Sequence, residues 1–355
     1  MVMIELIQEL IKIPSTSGQE TQISDFVQTL IKDKRTIRFD NNIIWKNEWL
    51  PKRPTVALGA HLDTVPFDEK DWKITHPLTP IIDGDKLYGR GACDMKSGAA
   101  ILLDILLKRD FDSHYNLLFF WYEMEELGIP NGVTKMIQRG FFDGVDLCII
   151  PEPTECKVNN GVFGNLDARI TARGKSAHSA YPKRGDNAIY RLLPVIEAIR
   201  DYPLETIQGV REAMSVNIIQ GGNAINVIPD QAYIEMDYRY NPDKSEKEIR
   251  ELLSHWQSEN IFIDILGLNP GVLHPKGVSP LLDRLIAIND EPMVVPFWSD
   301  IGQLGAAGIT AVNFGPGSIR QAHIVDEYVP LSEVEKVRQQ LVQFLTQSTY
   351  FDEEP

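Results

Sequence analysis

Leu87-Tyr88-Gly89-Arg90-Gly91-Ala92-Cys93-Asp94-Met95-Lys96-Ser97-Gly98 is the stretch from which the rest of the chain can be read. Two glycines and a run of small residues bring one carboxylate, Asp94, to the mouth of a helix, because residues 95–109 are apolar and free of proline. Taken alone, Asp94 reads as an ordinary helix N-cap. The glycines do not make a phosphate loop. That motif needs Gly-Lys-Ser/Thr, whereas Met95 precedes Lys96-Ser97 here, and Asp94 would repel a phosphate.

On the N-terminal side, residues 3–13 have helical spacing and stop before Pro14. Ser17-Gly18-Gln19-Glu20 fits a capping box, and the helix after it puts Ile23, Phe26, Val27, Leu30 and Ile31 on one face. Asp40-Asn41-Asn42 joins strands 36–39 and 43–45 as a hairpin. Short apolar runs follow at 55–58, 116–122 and 145–150, the later ones separated by helical segments. Strands buried on both faces with helical crossovers imply an α/β layer with a largely parallel sheet.

Polar residues follow directly on these runs: His61 and Asp63 after the first, Glu123, Glu125 and Glu126 after the second, Glu152 after the third. Ligands of open α/β sheets bind outside the carboxyl ends of the strands. Four sequence-distant segments, the Asp94 turn included, therefore deliver histidine and carboxylates to one edge.

From about Asn165 the pattern changes to polar-out alternation, with Leu166, Ala168, Ile170 and Ala172 inward. A helix over 186–201, with Leu192, Leu193, Ile196 and Ile199 inward and a kink or break at Pro194, leads to strands 214–220 and 234–240. A helix over 245–257 and a strand over 261–266 complete a β-α-β-β-α-β unit of the ferredoxin-like kind. The chain then resumes its α/β character: helix 281–288, strands 293–297 and 310–314, helix 331–346, and an acidic tail, Asp352-Glu353-Glu354-Pro355. The expected organisation is a catalytic domain in two parts, 1–164 and 273–355, carrying an inserted domain at 165–272.

The bulk numbers fit such an arrangement. At 355 residues the chain exceeds what one core usually holds. A net charge of −15 argues against nucleic acid or an anionic membrane as the main partner. No apolar run is long enough to span a membrane, and no signal peptide is recognisable. Cys93, Cys148 and Cys156 lack the spacing of a zinc ribbon and read as reduced, buried thiols of a cytoplasmic protein.

His61, Asp94, Glu126, Glu152 and His323 are the candidate metal ligands, since zinc takes imidazole nitrogen and carboxylate oxygen. Two-metal hydrolases hold their ions roughly 3.5–4 Å apart with a shared ligand between them. Asp63, two residues after His61 on an extended chain, faces the same way and can orient its imidazole. Each residue alone has an ordinary explanation as a cap, a surface acid or a loop histidine; the joint pattern carries the reading. His76, His114, His255 and His274 have no supporting neighbours and read as structural or solvated. His178 stands apart, in the small-residue segment Gly174-Lys175-Ser176-Ala177-His178-Ser179-Ala180.

Ala60-His61-Leu62-Asp63-Thr64-Val65-Pro66, the Gly89 to Lys96 turn, Glu125-Glu126, Glu152-Pro153 and Ala322-His323 together resemble the motifs of a di-zinc amidohydrolase family. That family includes succinyl-diaminopimelate desuccinylases, acetylornithine deacetylases, glutamate-releasing carboxypeptidases and aminoacylases. Gly185-Asp186-Asn187-Ala188-Ile189, the 222–230 segment, Ser299-Asp300 and 311–317 are most similar to its actinobacterial-type desuccinylases. Ala60, where many members have Gly, and Leu127-Gly128-Ile129-Pro130 depart from the pattern.

The resemblance implies two Zn2+ ions, with Co2+ or Mn2+ as substitutes. His61, Asp94 and Glu152 would bind one, and Asp94, Glu126 and His323 the other. It implies Glu125 as general base and acid, Asp63 as the buttress of His61, and His178 reaching the site of the other subunit in a homodimer formed by the inserted domain. Asn226, Arg239 and Gly315 would meet the substrate. The implied reaction is hydrolysis of a small N-acyl amino acid, N-succinyl-LL-2,6-diaminopimelate to succinate and LL-2,6-diaminopimelate, a step of lysine and diaminopimelate biosynthesis. An acetylornithine or other N-acyl amino acid deacetylase and an inactive metal-binding homologue are the alternatives.

Overall fold

The computed structural model describes residues 2–111, 114–289 and 291–346. The acidic tail expected at 352–355 lies outside the described residues. Two compact units divide the chain. The first takes Met1–Asn160, His274–Met293 and Ala307–Pro355, and the second Gly161–Leu273 and Val294–Ala306. The sequence reading places the insertion at 165–272 and leaves out Val294–Ala306.

The first unit opens on α1 (Met3–Lys12) and α2 (Thr21–Ile31), the hairpin β1 (Thr36–Phe39) and β2 (Asn42–Lys46), and β3 (Thr55–His61). The small strands β4 (Ile81–Asp83) and β5 (Lys86–Tyr88) lead through the Asp94 turn to α3 (Ser97–Lys108). Then come β6 (Asn116–Tyr122), α4 (Gly132–Gln138), β7 (Leu147–Pro153) and the start of β8 (Asn159–Val162), whose last two residues belong to the second unit. Every residue of β3, β6 and β7 is buried, as their continuous apolar sequences require of strands covered on both faces. β6, β3 and β7 are parallel neighbours, so their carboxyl ends share one edge. The β1–β2 hairpin adds to β6 antiparallel, which makes the sheet mixed.

α3 is apolar on most of its circumference, Asp104 apart, and Ser97 to Leu106 is buried without interruption. A helix of that kind belongs in a core. It packs against α1, α2 and the central strands, which fixes the turn in front of it.

The expected capping box at Ser17-Gly18-Gln19-Glu20 does not form. α2 begins at Thr21 with no side-chain cap bond, and Ser17 Oγ instead donates to Asp63 Oδ2 at 2.7 Å. A hydroxyl within reach of a carboxylate gains more from that charge-assisted bond than from a helix amide.

The second unit contains β9 (Gly164–Arg173), β10 (Ala177–His178), α5 (Ala188–Arg200), β11 (Thr206–Ile207), β12 (Val210–Arg211), β13 (Ala213–Gly221) and β14 (Val227–Ile228). β15 (Gln231–Tyr240), α6 (Glu246–Trp256), β16 (Ile261–Asn269) and β17 (Val272–Leu273) complete its longer segment. Its main sheet is antiparallel in the order β13-β15-β9-β16, the ferredoxin-like arrangement. Alternate residues of β9 and β15 meet Leu192 and Ile199 of α5 and Ile249 and Leu253 of α6 in one core. α5 runs unbroken through Pro194. Leu193, expected inward, is exposed, and Val195 is buried in its place.

After this unit's longer segment come α7 (Pro280–Ile288), β18 (Met293–Val295), α8 (Ile301–Ala306), β19 (Ala311–Gly315), β20 (Tyr328–Pro330) and α9 (Leu331–Thr346). β19 pairs parallel with β7. β20 pairs with β5, Tyr328 opposite Tyr88, so the residues before β20 meet the turn that carries Asp94. No helix among the described residues is long and apolar enough to cross a membrane.

Candidate metal centre

His61 is the last residue of β3 and sits opposite Tyr122, the last of β6. Its Nε2 lies 3.0 Å from Asp94 Oδ1 and 3.7 Å from Glu152 Oε1. The other Asp94 oxygen, Oδ2, lies 3.2 Å from His323 Nε2, which is 2.9 Å from Glu126 Oε2. Asp94 is thus common to two groups, His61-Asp94-Glu152 and Asp94-Glu126-His323, each with ligand atoms within 4.8 Å of one another. The first group is buried, while His323 is half exposed. Nitrogen and oxygen donors of a tetrahedral zinc lie about 3.4 Å apart, so the donor type and spacing suit such an ion. Buried carboxylates this close also need cationic company.

Burial opposes charge on His61, but the hydrogen bonds to Asp63 and Asp94 prevail and push its pKa well above the usual value. Asp94 and Glu126 raise His323 to about 10. Burial works against the charge of Asp94, yet His323 and His61 hold its pKa below the usual range. Glu126 moves the other way, raised by burial and by the charge of Asp94. The carboxylates thus draw positive charge to both imidazoles, and a metal cation bound there would take both rings as neutral ligands.

Local sequence explains how each group arrives. Gly91 takes φ +78, and a side chain there would run into Thr64 and Lys96. The Asp94–Met95 peptide is cis. Glu152 lies in the part of β7 that continues past Ile150, where the sequence reading ends the strand. Pro151 is wedged between two glycines. A Cβ on Gly98 would meet Pro151 O at 2.6 Å, and one on Gly315 would meet it at 2.2 Å.

Asp63 does more than face His61. Its Oδ1 lies 3.5 Å from His61 Nδ1 and accepts from Glu125 N at 3.0 Å, and its Oδ2 accepts from Glu126 N at 3.1 Å. One buried residue therefore fixes both the imidazole, its backbone carbonyl lying 3.0 Å from His61 Nδ1, and the backbone of the paired glutamates, held by its carboxylate. Glu123 is turned away to Lys135 and Asn42.

Glu327 escapes sequence reasoning. It is buried, and its Oε1 accepts from Cys93 N and Asp94 N at 2.8 and 3.0 Å. Its Oε2 accepts from Gly91 N at 3.0 Å and Arg90 Nη1 at 2.8 Å. Burial pushes its pKa up to about 7 against the pull of Arg90 and the amides. Lys96 is buried beside it, donates to Ile13 O at 2.9 Å, and is lowered by burial to about 7. The only sequence signal for Glu327 is an acid just before a strand.

Gly315 lies on β19 with its backbone engaged, its N–H donating to Thr154 Oγ1 at 3.0 Å. His178, Asn226 and Arg239 belong to the second unit. His178 is exposed on β10 opposite Val227, and Ser179 N donates to Asn226 O at 3.0 Å, so His178 and Asn226 are neighbours. Arg239 is ion-paired with Asp237 at 2.9 Å on β15. Of the other histidines, His76 pairs with Glu69 at 3.1 Å and His274 is buried, its Nε2 accepting from Ala311 N. All three cysteines are buried and outside any disulfide.

Comparison with known proteins gives the family. The model of peptidase family M20/M25/M40 matches residues 57–347. A succinyl-diaminopimelate desuccinylase of Corynebacterium glutamicum is 32% identical, over 97% of this chain and 96% of its own. An acetylornithine deacetylase of Myxococcus xanthus is 31% identical, over 79% and 77%. A solved dinuclear metal-binding peptidase of the M20 family from Bacillus subtilis shares the fold, with a TM-score of 0.72 at 15% identity over 97% and 96%. The chain is a hydrolase, and it belongs to the peptidase family M20/M25/M40.

Proposed function

We propose that the chain hydrolyses N-succinyl-LL-2,6-diaminopimelate to succinate and LL-2,6-diaminopimelate with two zinc ions. His61, Asp94 and Glu152 would hold one, Asp94, Glu126 and His323 the other. The observation that carries this reading is Asp94, whose two oxygens serve two separate donor groups. The desuccinylase from C. glutamicum supports the substrate, since it aligns over almost the whole of both chains. Cobalt or manganese would be accepted by the same donors.

Bound divalent ions supply Lewis acidity toward the amide carbonyl and lower the pKa of water. Glu125 takes the proton of the attacking water and passes it to the leaving amine. Its backbone is pinned by Asp63, so the carboxylate works from a fixed base. His178 of the partner subunit donates to the developing oxyanion. Asn226 offers neutral hydrogen bonds, Gly315 a close backbone approach, and Arg239 a planar cation for a substrate carboxylate. Arg239 would exchange part of its pairing with Asp237 for that contact.

A homodimer through the second unit suits its surface. Ile218 and Ile219 on the edge strand β13, Tyr190 and Leu193 on α5, and Ile225 are all exposed. Three reduced, buried thiols suit a cytoplasmic setting.

A second reading, N-acetylornithine deacetylation, is favoured by the relative from M. xanthus. The test is a panel of N-succinyl and N-acetyl amino acids assayed with zinc-, cobalt- and manganese-loaded protein. Preference for N-succinyl-LL-2,6-diaminopimelate, with Glu125→Gln losing on the order of 10²–10⁴-fold, is expected. Preference for N-acetylornithine would overturn the substrate, and an active Glu125→Gln would overturn the base.

A further inference from the structure

Glu20 lies just ahead of α2 and is fully buried. Its Oε1 accepts from Gly18 N at 2.8 Å and from Met124 N at 3.1 Å. Its Oε2 is buried without a hydrogen-bond partner among the described residues. A helix cap would face the helix amides and a salt bridge would face a cation; Glu20 has neither arrangement.

Met124 immediately precedes Glu125 and takes φ +64, a conformation that side chains disfavour. Three consecutive amides are caught by carboxylates here: Met124 by Glu20, Glu125 and Glu126 by Asp63. Asp63 is itself tied by Ser17 to the loop that ends in Glu20. One loop, residues 15–20, therefore clamps the segment carrying Glu125 from two directions. Ser17 N and Ser15 O bond the backbone of Thr64, which fixes that loop to the end of β3.

We propose that Glu20 is a positioning residue for the amide hydrolysis. It holds the left-handed turn at Met124 and so sets where the Glu125 carboxylate meets the attacking water. The inference rests on the reading of Glu125 as the base. What matters in Glu20 is an acceptor oxygen at full reach, not its charge, because its second oxygen meets no donor among the described residues.

That distinction gives the test. Glu20→Gln keeps an acceptor at the Oε1 position, and Glu20→Asp keeps the charge but draws back by one methylene. Both variants and Glu125→Gln are assayed on N-succinyl-LL-2,6-diaminopimelate and N-acetyl-L-ornithine, with zinc stoichiometry and melting temperature measured alongside. A misplacement near 1 Å can cost about 10²-fold, so Glu20→Asp should lose roughly 10- to 100-fold in kcat while Glu20→Gln stays within about threefold. KM and bound zinc should be unchanged in both, because only the step after binding is affected.

Glu20→Asp matching or exceeding Glu20→Gln would overturn the proposal. So would a loss confined to KM or to zinc binding, or a loss of kcat that tracks melting temperature equally in both variants. An active Glu125→Gln would remove the base reading and this inference with it. An inactive Glu125→Gln beside a fully active Glu20→Asp would remove this inference alone.

Discussion

Replacing Glu327 by Gln tests how the turn of Asp94 is held. The carboxylate accepts four hydrogen bonds, two on each oxygen. An amide can keep only one oxygen. If that oxygen serves Cys93 N and Asp94 N, the amide nitrogen is left facing Gly91 N–H and Arg90 Nη1, donor against donor. Two bonds to a charged acceptor are lost, each worth about 1.5–3 kcal/mol, while removing the buried charge returns part of that sum. A net loss of about 2–5 kcal/mol is expected, a large share of a typical total of about 5–15 kcal/mol. Urea unfolding of the metal-free protein above about pH 8, where Glu327 is ionised, followed by circular dichroism, measures it. Arg90→Met in the Glu327→Gln background should cost less than Arg90→Met in the parent, since the arginine would already lack its partner. A Glu327→Gln variant within about 0.5 kcal/mol of the parent would refute the reasoning.

His274 is buried, and burial lowers its pKa to about 4. The unfolded chain takes up that proton near pH 6.5, so between pH 6.5 and 4 the unfolded state binds more protons and stability falls as pH drops, by up to about 3 kcal/mol. The contribution is fully present above pH 6.5. His274→Gln can keep an acceptor for Ala311 N and should flatten the acid slope of the urea midpoint; parallel slopes in parent and variant would contradict this. Gly315→Ala puts a Cβ within 2.2 Å of Pro151 O and 2.5 Å of Glu152 O. Such overpacking should cost about 1–3 kcal/mol in melting experiments and weaken metal binding at His61, Asp94 and Glu152, whereas an unchanged melting temperature and affinity would count against the role of this glycine.

Much of the first unit was legible because its strands are apolar along their whole length and their polar residues come just after. That pattern leads to parallel strands with a shared edge, and His61, Glu126 and Glu152 converge there. The ferredoxin-like unit was legible from alternation alone, because one face of its sheet is buried and the other is not. Contacts that depend on distant segments were not legible. Ser17 looks like a helix cap until Asp63, 46 residues away, competes for it. Glu327 meets the Asp94 turn only because β20 pairs with β5. Leu193 and Val195 exchange places because the side of α5 that faces the sheet is set by packing. The pairing of Arg239 with Asp237 follows from neighbours on a pleated strand, and a sequence reading for substrate contacts does not weigh it.

Counting bound metal ions shows whether the carboxylate of Asp94 is shared between two of them. Zinc should be titrated calorimetrically into metal-free parent, His61→Ala and Asp94→Ala proteins, with bound metal counted independently by elemental analysis. Two ions per chain are expected in the parent, one weakened ion in His61→Ala, and both weakened together in Asp94→Ala. A parent that binds one ion, or an Asp94→Ala variant that keeps one ion at parental affinity, would contradict the sharing.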